Sequence, residues 1–330
     1  MVKFKCNWVR LSGLLFRVLA LLLCASGVQA QSQNYPNKPI TIILPYAPGG
    51  ATSSLGYLIR EKLIEDWSQP VVMQHRPGGS ATIGAAIAAK APADGYTYLI
   101  ATATHVTSPL LMKVPYDPIK DFAAVSPVSV IETILVAHPS LPAKNLKELV
   151  AFAKARPGQL NYATASFGSP SHLAAELLGV RLGIKLQNIA YKGGSPATTD
   201  VLGGQVELMF ANPVNVTHHI QAGKLVGIAI SGKKRAPALP RVPTFEESGV
   251  TNFEIGSWMG MLAPAGTPVE IVRKMASELA QIMALPDIKA KVVAMGSDTL
   301  IESPEAFEAR MKADLARYAW VIKQRNIVQN

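Results

Sequence analysis

The feature that most constrains this chain is a rhythm: from residue 40 onward, short β-branched runs alternate with segments carrying a helical apolar stripe. Ile40–Leu44 reads as a strand buried on both faces. The segment after it places Leu55, Leu58, Ile59 and Leu63 on one helical face. Residues 71–73 form the next strand, 83–89 a helix of small residues and 96–101 a further strand. Such a βαβ alternation predicts an α/β fold, with helices covering the faces of a sheet.

The middle of the chain repeats the pattern. Asn145 with Glu148 three residues on has the form of a capping box, opening a helix that Pro157-Gly158 ends. Residues 160–164 read as a strand, 170–180 as a helix, and 196–202 as a helix closed by Gly203-Gly204. Val206, Leu208 and Phe210 alternate with Gln205, Glu207 and Met209, as in a strand. The last part is mainly helical. Thr267-Pro268-Val269-Glu270 has the form of a second capping box, with proline at the first helical position. Ser303-Pro304 opens a long final helix with Phe307, Met311 and Leu315 on one face. No repeat and no low-complexity linker interrupts the chain, which suits two domains joined by short crossing strands.

The first thirty residues have the form of a secretory leader. Lys3, Lys5, Arg10 and Arg17 precede or flank a short apolar run at 18–23, and no acidic residue accompanies them. Val28-Gln29-Ala30 places small residues where a signal peptidase reads, so cleavage is expected near Ala30. The apolar run is shorter than the roughly 20 residues that span a bilayer. Both cysteines, Cys6 and Cys24, fall inside the leader, so the chain after it has no disulfide, no cysteine nucleophile and no thiolate metal site. Stability must come from the core, and residues 31–330 suffice for two domains. The leader also holds four of the 32 basic residues, leaving 28 against 22 acidic ones, a net charge of +6. Such a mild positive field favours anionic ligands. Lys233-Lys234-Arg235 is the only tight basic run and reads as a solvated turn, so no nucleic-acid partner is expected.

Three strand-to-helix junctions combine glycines, hydroxyls and a helix start: residues 45–53 (Pro-Tyr-Ala-Pro-Gly-Gly-Ala-Thr-Ser), 164–172 (Thr-Ala-Ser-Phe-Gly-Ser-Pro-Ser-His) and 191–196 (Tyr-Lys-Gly-Gly-Ser-Pro). In open α/β sheets ligands bind beyond the carboxyl ends of the strands. Free N–H groups at a helix start suit a carboxylate or phosphate. Ser169-Pro170 and Ser195-Pro196 would also serve as plain N-caps. Enzyme signatures are weaker. Gly79 and Gly84 have the spacing of a P-loop, but Ala85-Ala86 stands where Lys-Ser/Thr is required. No G-x-S-x-G elbow occurs, and His218-His219 lacks the i, i+4 spacing of a zinc helix. His172, with Ser166, Ser169 and Glu176 nearby, invites comparison with a Ser–His hydrolase. It reads better as a first-turn residue lining a cleft, with Glu176 an ordinary i, i+4 neighbour. No catalytic residue, cofactor or metal is expected.

A run of further segments then falls into place. Tyr35-Pro36-Asn37-Lys38-Pro39-Ile40, Pro48-Gly49-Gly50, Gln69-Pro70-Val71-Val72, Arg76-Pro77-Gly78-Gly79 and Pro92-Ala93-Asp94-Gly95-Tyr96-Thr97 occur in that order. They are followed by Val114-Pro115-Tyr116-Asp117-Pro118, Asp121-Phe122, Gly168-Ser169-Pro170-Ser171-His172-Leu173-Ala174, Tyr191-Lys192-Gly193, Leu202-Gly203-Gly204-Gln205-Val206, Trp258 and Ala263-Pro264-Ala265-Gly266-Thr267-Pro268. Together they resemble the Bug (TctC-like) family, the extracytoplasmic solute receptors of tripartite tricarboxylate transporters, over essentially the whole chain after the leader.

The resemblance implies a two-domain periplasmic-binding-protein (type 2-like) fold, with a Venus-flytrap cleft between domains. Residues 31–130 and 258–330 would form domain 1, and 131–257 domain 2, following the leader at 1–30. It places binding loops at Tyr46, Pro48, Gly49, Gly50, Ala51 and Ser53; at Thr102, Thr104 and His105; at Ser166, Phe167, Gly168, Ser169 and His172; at Tyr191, Lys192 and Gly193; and at Ala211 and Asn212. The implied partners are a small organic acid and membrane permease subunits supplied by other genes, with the receptor itself a monomer in the periplasm. The same fold would equally serve a co-sensor that presents its ligand to a membrane kinase, and a periplasmic hydrolase is a third reading.

Two departures from the family bear on the ligand. Where the family usually carries an aspartate and, four residues on, an arginine, this chain has Ser53 and Tyr57; where the family often has an aspartate after the strand ending at Phe210, it has Ala211. A cationic amine needs an acidic partner when buried. The expected ligand is therefore a dicarboxylate or aromatic acid without a protonated amine. The expected donors are backbone N–H groups at Gly49, Gly50 and Gly168 and hydroxyls of Ser53, Thr104, Ser166 and Ser169. Tyr46 and Phe167 would flank a ring or alkyl chain.

Overall fold

The computed structural model describes residues 35–327, apart from 47, 49–50, 165–168, 192–193, 252 and 254. The leader read from the sequence lies outside the described residues. No described helix is long and apolar enough to cross a membrane.

Two mixed sheets organise the chain. The first has the strand order β11-β4-β10-β3-β1-β2. It comprises β1 (Ile40–Leu44), β2 (Val71–His75), β3 (Thr97–Thr102), β4 (Phe122–Ile131), β10 (Ser257–Pro264) and β11 (Asp298–Thr299). Strands β2 and β3 flank β1 in parallel, while β10 runs antiparallel to both β3 and β4. The second sheet has the order β7-β6-β8-β5-β9. It comprises β5 (Ile134–Ala137), β6 (Asn161–Thr164), β7 (Gln187–Ala190), β8 (Leu208–Ala211) and β9 (Val226–Ile230). Here β6, β7 and β8 are parallel and β5 is antiparallel to β8 and β9.

Alternating side chains on the strands bury two faces per sheet, as the continuous apolar runs require. Ile40, Ile42, Tyr98 and Ile100 face α1 (Ala51–Trp67), α8 (Val269–Ala284) and α9 (Pro286–Ala294). Their sheet neighbours Ile43, Leu99 and Ala101 turn to the other face, against α2 (Thr82–Ala89), α3 (Thr104–Leu111) and α10 (Pro304–Arg325). In the second sheet Leu135, Tyr162, Leu208 and Phe210 meet α4 (Leu146–Ala155) and α5 (Pro170–Leu182). Ile134, Ala163, Met209 and Ala211 meet α6 (Gly194–Leu202) and α7 (Pro213–Gln221). The result is two lobes, each a sheet sandwiched between helices.

Local signals explain most of the boundaries. Asn145 caps α4 by accepting from the Glu148 N–H at 2.9 Å, and the Glu148 carboxylate accepts from the Lys144 N–H at 2.7 Å. Ser169 and Ser303 cap α5 and α10, each followed by proline in the first turn. The capping box expected at Thr267 does not form. Pro268 itself occupies the N-cap of α8, and the Thr267 hydroxyl donates backwards to the Pro264 carbonyl at 2.8 Å. The proline fixes the turn, which leaves the threonine to close the preceding loop.

The chain passes between lobes at 132–133 and again near 256, at the end of a segment from 231 that packs Leu239, Val242, Phe245, Val250, Phe253 and Ile255 into the cores of the second lobe. The first crossing is tied to both ends of that segment. Ser231 N–H donates to the Thr133 carbonyl at 2.8 Å, and Thr133 N–H donates to Ser231 Oγ at 2.9 Å. Ser231 Oγ in turn donates to Glu132 Oε2 at 2.6 Å, and Thr133 Oγ1 to the Ile255 carbonyl at 2.9 Å. A third link comes from α10, 22 residues long and so about 33 Å at 1.5 Å per residue. Phe307 and Met311 sit in the core of the first lobe, whereas Val321 sits in that of the second. Arg325 Nε lies 3.0 Å from Glu176 Oε2, and its Nη2 donates to the Ile184 carbonyl at 2.8 Å. The expected division gave all of 258–330 to the first lobe; the last helix begins there and ends against the second.

Candidate functional site

Register shows where the loops of the two lobes lie. Strand β4 is parallel to β3, so its last residue, Ile131, marks the edge at which β1, β2 and β3 also end. Ile131 pairs with Ser257, and Met259, two residues along β10, pairs with Thr102. In the second lobe Ile134, the first residue after the crossing, pairs with Ala211, the last of β8. Strands β6 and β7 run parallel to β8 and end at the same edge. The carboxyl ends of the parallel strands of both lobes therefore face the crossing segments, where ligands of open α/β sheets bind.

In the first lobe Tyr46 follows β1, Thr102 ends β3 and Thr104 starts α3. Their hydroxyls form a closed triangle: Tyr46 to Thr102 at 2.6 Å, Tyr46 to Thr104 at 2.8 Å and Thr102 to Thr104 at 2.8 Å. The Thr104 N–H also reaches Thr102 Oγ1, at 3.4 Å. Burial pushes the Tyr46 phenol above its ordinary pKa, partly offset by its hydrogen bonds to Thr102 and Thr104. The Tyr46 carbonyl accepts from His75 Nδ1 at 2.9 Å. A carbonyl can only accept, so Nδ1 carries a proton, and the Tyr57 hydroxyl lies 3.2 Å from Nε2. Tyr57 stands where the resemblance gave an arginine, and its hydroxyl reaches His75 at the end of β2. From the other side, Gly84 lets α2 lie on Pro45. A Cβ there would be 2.7 Å from Pro45 Cβ and 3.0 Å from the Arg76 carbonyl. This close packing explains a glycine that had suggested a broken P-loop.

Pro48 is exposed, Ser53 is buried in the first turns of α1, and Ala51 opens that helix. Gly49 and Gly50 lie outside the described residues. A small pocket of about 30 Å³ opens beside the triangle, lined by Thr52, Thr102, Ile131, Ser257 and Trp258 among others. That is room for a water molecule, and it reaches both crossing strands.

His105 departs from expectation. Its ring is turned into the first lobe, 3% exposed, stacked on Tyr116 at 5.6 Å and edge-on to Phe122 at 4.6 Å. Nε2 donates to the Pro118 carbonyl at 2.9 Å, and Nδ1 is buried without a partner. Protonating Nδ1 would bury an unmet donor and a charge, and burial holds the pKa at about 4. The side chain is a core group, and only its backbone lies at the start of α3. The sequence placed a histidine one residue past two threonines; helical geometry turns it to the opposite side.

In the second lobe Ser166, Phe167 and Gly168 lie outside the described residues, as do Lys192 and Gly193. Ser169 caps α5 by accepting from the His172 N–H at 3.4 Å, and Ser171 Oγ lies 3.0 Å away. The His172 ring packs on Tyr162 at 6.3 Å, is 3% exposed and is held near pKa 4 by burial. Tyr191 N–H donates to the Thr164 carbonyl at 2.9 Å, and its hydroxyl donates to Asp200 Oδ2 at 2.7 Å. Ala211 points into the core and Asn212 is half-buried just before α7. The glutamate expected as a simple helical neighbour has a structural role. Glu176 Oε1 accepts from the Tyr162 hydroxyl at 2.6 Å, while Oε2 faces Arg325. His75 went unnoticed in the sequence because its strand was read as ending at residue 73. Continuing β2 to the edge where β1 ends would have reached it.

The model of the "Tripartite tricarboxylate transporter family receptor" matches residues 57–327. The chain belongs to this family. Among solved structures it is similar to the periplasmic binding protein BugD, at 34% identity and a TM-score of 0.69, covering 90% of this chain and 100% of that one. It is similar to Rpa4515 from R. palustris, solved with adipate, at 33% identity and a TM-score of 0.72, covering 89% and 99%. MatC (Rpa3494) from Rhodopseudomonas palustris, solved with bound malate, matches at 28% identity and a TM-score of 0.69, covering 87% and 100%. The Bug-type resemblance read from the sequence and the two-lobed binding-protein fold both stand.

Proposed function

We propose that this chain is an exported periplasmic receptor, not an enzyme, that captures a small organic carboxylate between its lobes for a tripartite transporter. The observation that carries the reading is the convergence of strand ends from both lobes on the crossing segments, in a family of receptors. Two relatives solved with adipate and malate support a carboxylate, and the leader supports export. Residues 31–130 with 258–330 and residues 131–257 are the two bodies, the end of α10 lying against the second, and the chain hinges where it crosses, at 132–133 and near 256. The ligand carboxylate is met by backbone N–H groups at the helix starts and by hydroxyls of Ser53, Ser166 and Ser169. Ser53 and Ala211 offer no acid to an amine.

A thermal-shift screen of mono- and dicarboxylates, aliphatic and aromatic, is the direct test. A ligand at a hundredfold excess over its Kd adds about 2.7 kcal/mol. Stabilisation by acids is expected, with succinate binding better than its amino analogue aspartate. Equal or tighter aspartate binding would sink the amine-free assignment. Small-angle scattering with a ligand of proven affinity is expected to show a smaller radius of gyration than without it. An unchanged radius at saturation would place the ligand outside the cleft.

A further inference from the structure

The hydroxyl triangle in the first lobe can be counted. Each hydroxyl owns one hydrogen, and each of the three oxygen–oxygen contacts consumes one. With Tyr46–Thr102, Tyr46–Thr104 and Thr102–Thr104 all within 2.8 Å, every O–H of the group is spent inside it. Thr102 Oγ1 is further occupied as an acceptor from the Thr104 N–H. What the group still offers is lone-pair capacity on Thr104 Oγ1 and Tyr46 Oη. The wall of three hydroxyls, including the Thr104 hydroxyl that the sequence offers as a donor for an anion, therefore accepts rather than donates.

Resting on the receptor reading above, we infer that Tyr46, Thr102 and Thr104 form an acceptor-only wall that selects acids bearing a hydroxyl, seating that hydroxyl against Thr104 Oγ1 and Tyr46 Oη while the carboxylate is held elsewhere. A carboxylate placed against this wall would meet oxygen lone pairs and would have to break a triangle bond to gain a donor. A ligand hydroxyl donates without disturbing it. The wall carries no formal negative charge, so it does not compensate a buried ammonium. The position is suited to such a role. Two of the three residues end or follow parallel strands at the cleft edge, Thr102 also lines the pocket reaching Ile131 and Ser257, and the Tyr46 backbone is fixed by His75.

The test is calorimetry with matched acids differing by one hydroxyl: succinate and malate, glutarate and 2-hydroxyglutarate, phenylacetate and mandelate. One net hydrogen bond corresponds to roughly a 3- to 10-fold preference, and the hydroxylated member of at least one pair is expected to bind tighter by that factor. Tyr46→Phe and Thr104→Val each leave two hydroxyls sharing one bond, which releases one O–H as a donor. Both variants are expected to abolish the preference, with tighter binding of the unsubstituted acid. Thr104→Ser rebuilds the triangle and is expected to keep the preference. Unliganded melting curves for each variant separate these effects from misfolding. Acids that bind with no preference for the hydroxyl, or a preference that survives in both Tyr46→Phe and Thr104→Val, would overturn the inference while leaving the receptor reading intact. Failure of every acid to bind would overturn the receptor reading and this inference with it.

Discussion

Lowering the pH from 7.5 to 4 is expected to remove about 6 kcal/mol of folding stability through two histidines alone, roughly 3 kcal/mol each. His105 and His172 are both 3% exposed, and burial holds each near pKa 4 in the folded chain. The unfolded chain takes up these protons near pH 6.5. Between pH 6.5 and 4 it therefore binds more protons than the folded chain, so stability rises with pH across that window. The contribution is complete above about pH 6.5 and falls away as the pH drops towards 4. For His105 the physical cause is explicit: Nε2 is committed to Pro118 and Nδ1 faces no acceptor. Urea unfolding at a series of pH values measures the slope. His105→Phe keeps an aromatic ring against Tyr116 and Phe122 but cannot titrate. It is expected to be less stable at pH 7.5, because the Pro118 carbonyl loses its donor, and to show a shallower decline below pH 6.5. A variant curve parallel to that of the natural chain would show that His105 does not carry the effect.

That histidine also shows where sequence reading stops. The alternation of strands and helices was legible because each strand is buried on both faces, and β1 falls on the expected residues 40–44. The α4 cap was legible because Asn145 and Glu148 act within one turn. Thr267 was misread because the same four letters permit two local hydrogen-bond schemes, and the choice depends on where the preceding loop places the Pro264 carbonyl. His105 and His75 depended on which way a side chain turns once a strand or helix is packed. That is set by β2 continuing to residue 75 and by α3 lying on Phe122. The far end of α10 was assigned to one lobe by the family resemblance, and no local pattern announces that a helix about 33 Å long reaches a second core. The hydroxyl triangle joins residues 46, 102 and 104, so only the pairing of β1 with β3 brings it together.

Replacing Phe307 by alanine is expected to cost about 3–5 kcal/mol, the range for removing a fully buried phenylalanine. Phe307 has no exposed surface, meets Trp258 edge-on at 5.0 Å, and holds the first turns of α10 against β10. The strand is shaped for it. A Cβ on Gly260 would lie 2.4 Å from Phe307 Cζ and 3.0 Å from the Ser126 carbonyl. Gly260→Ala alone should therefore be destabilising. In the Phe307→Ala background the ring is gone and the added methyl projects into the cavity, so its cost should fall. A double-mutant cycle by urea unfolding is expected to show this favourable coupling, and additive costs would mean that the ring and the glycine do not define one another. Hydrogen exchange adds a spatial test. The far end of α10 is held independently by Val321 in the second core and by Arg325 on Glu176 and Ile184. In Phe307→Ala, amides early in α10 should exchange faster while those near residue 321 stay protected. Uniform loss of protection along the helix would show that its two anchors act as one, and that the lobes are coupled through it even without ligand.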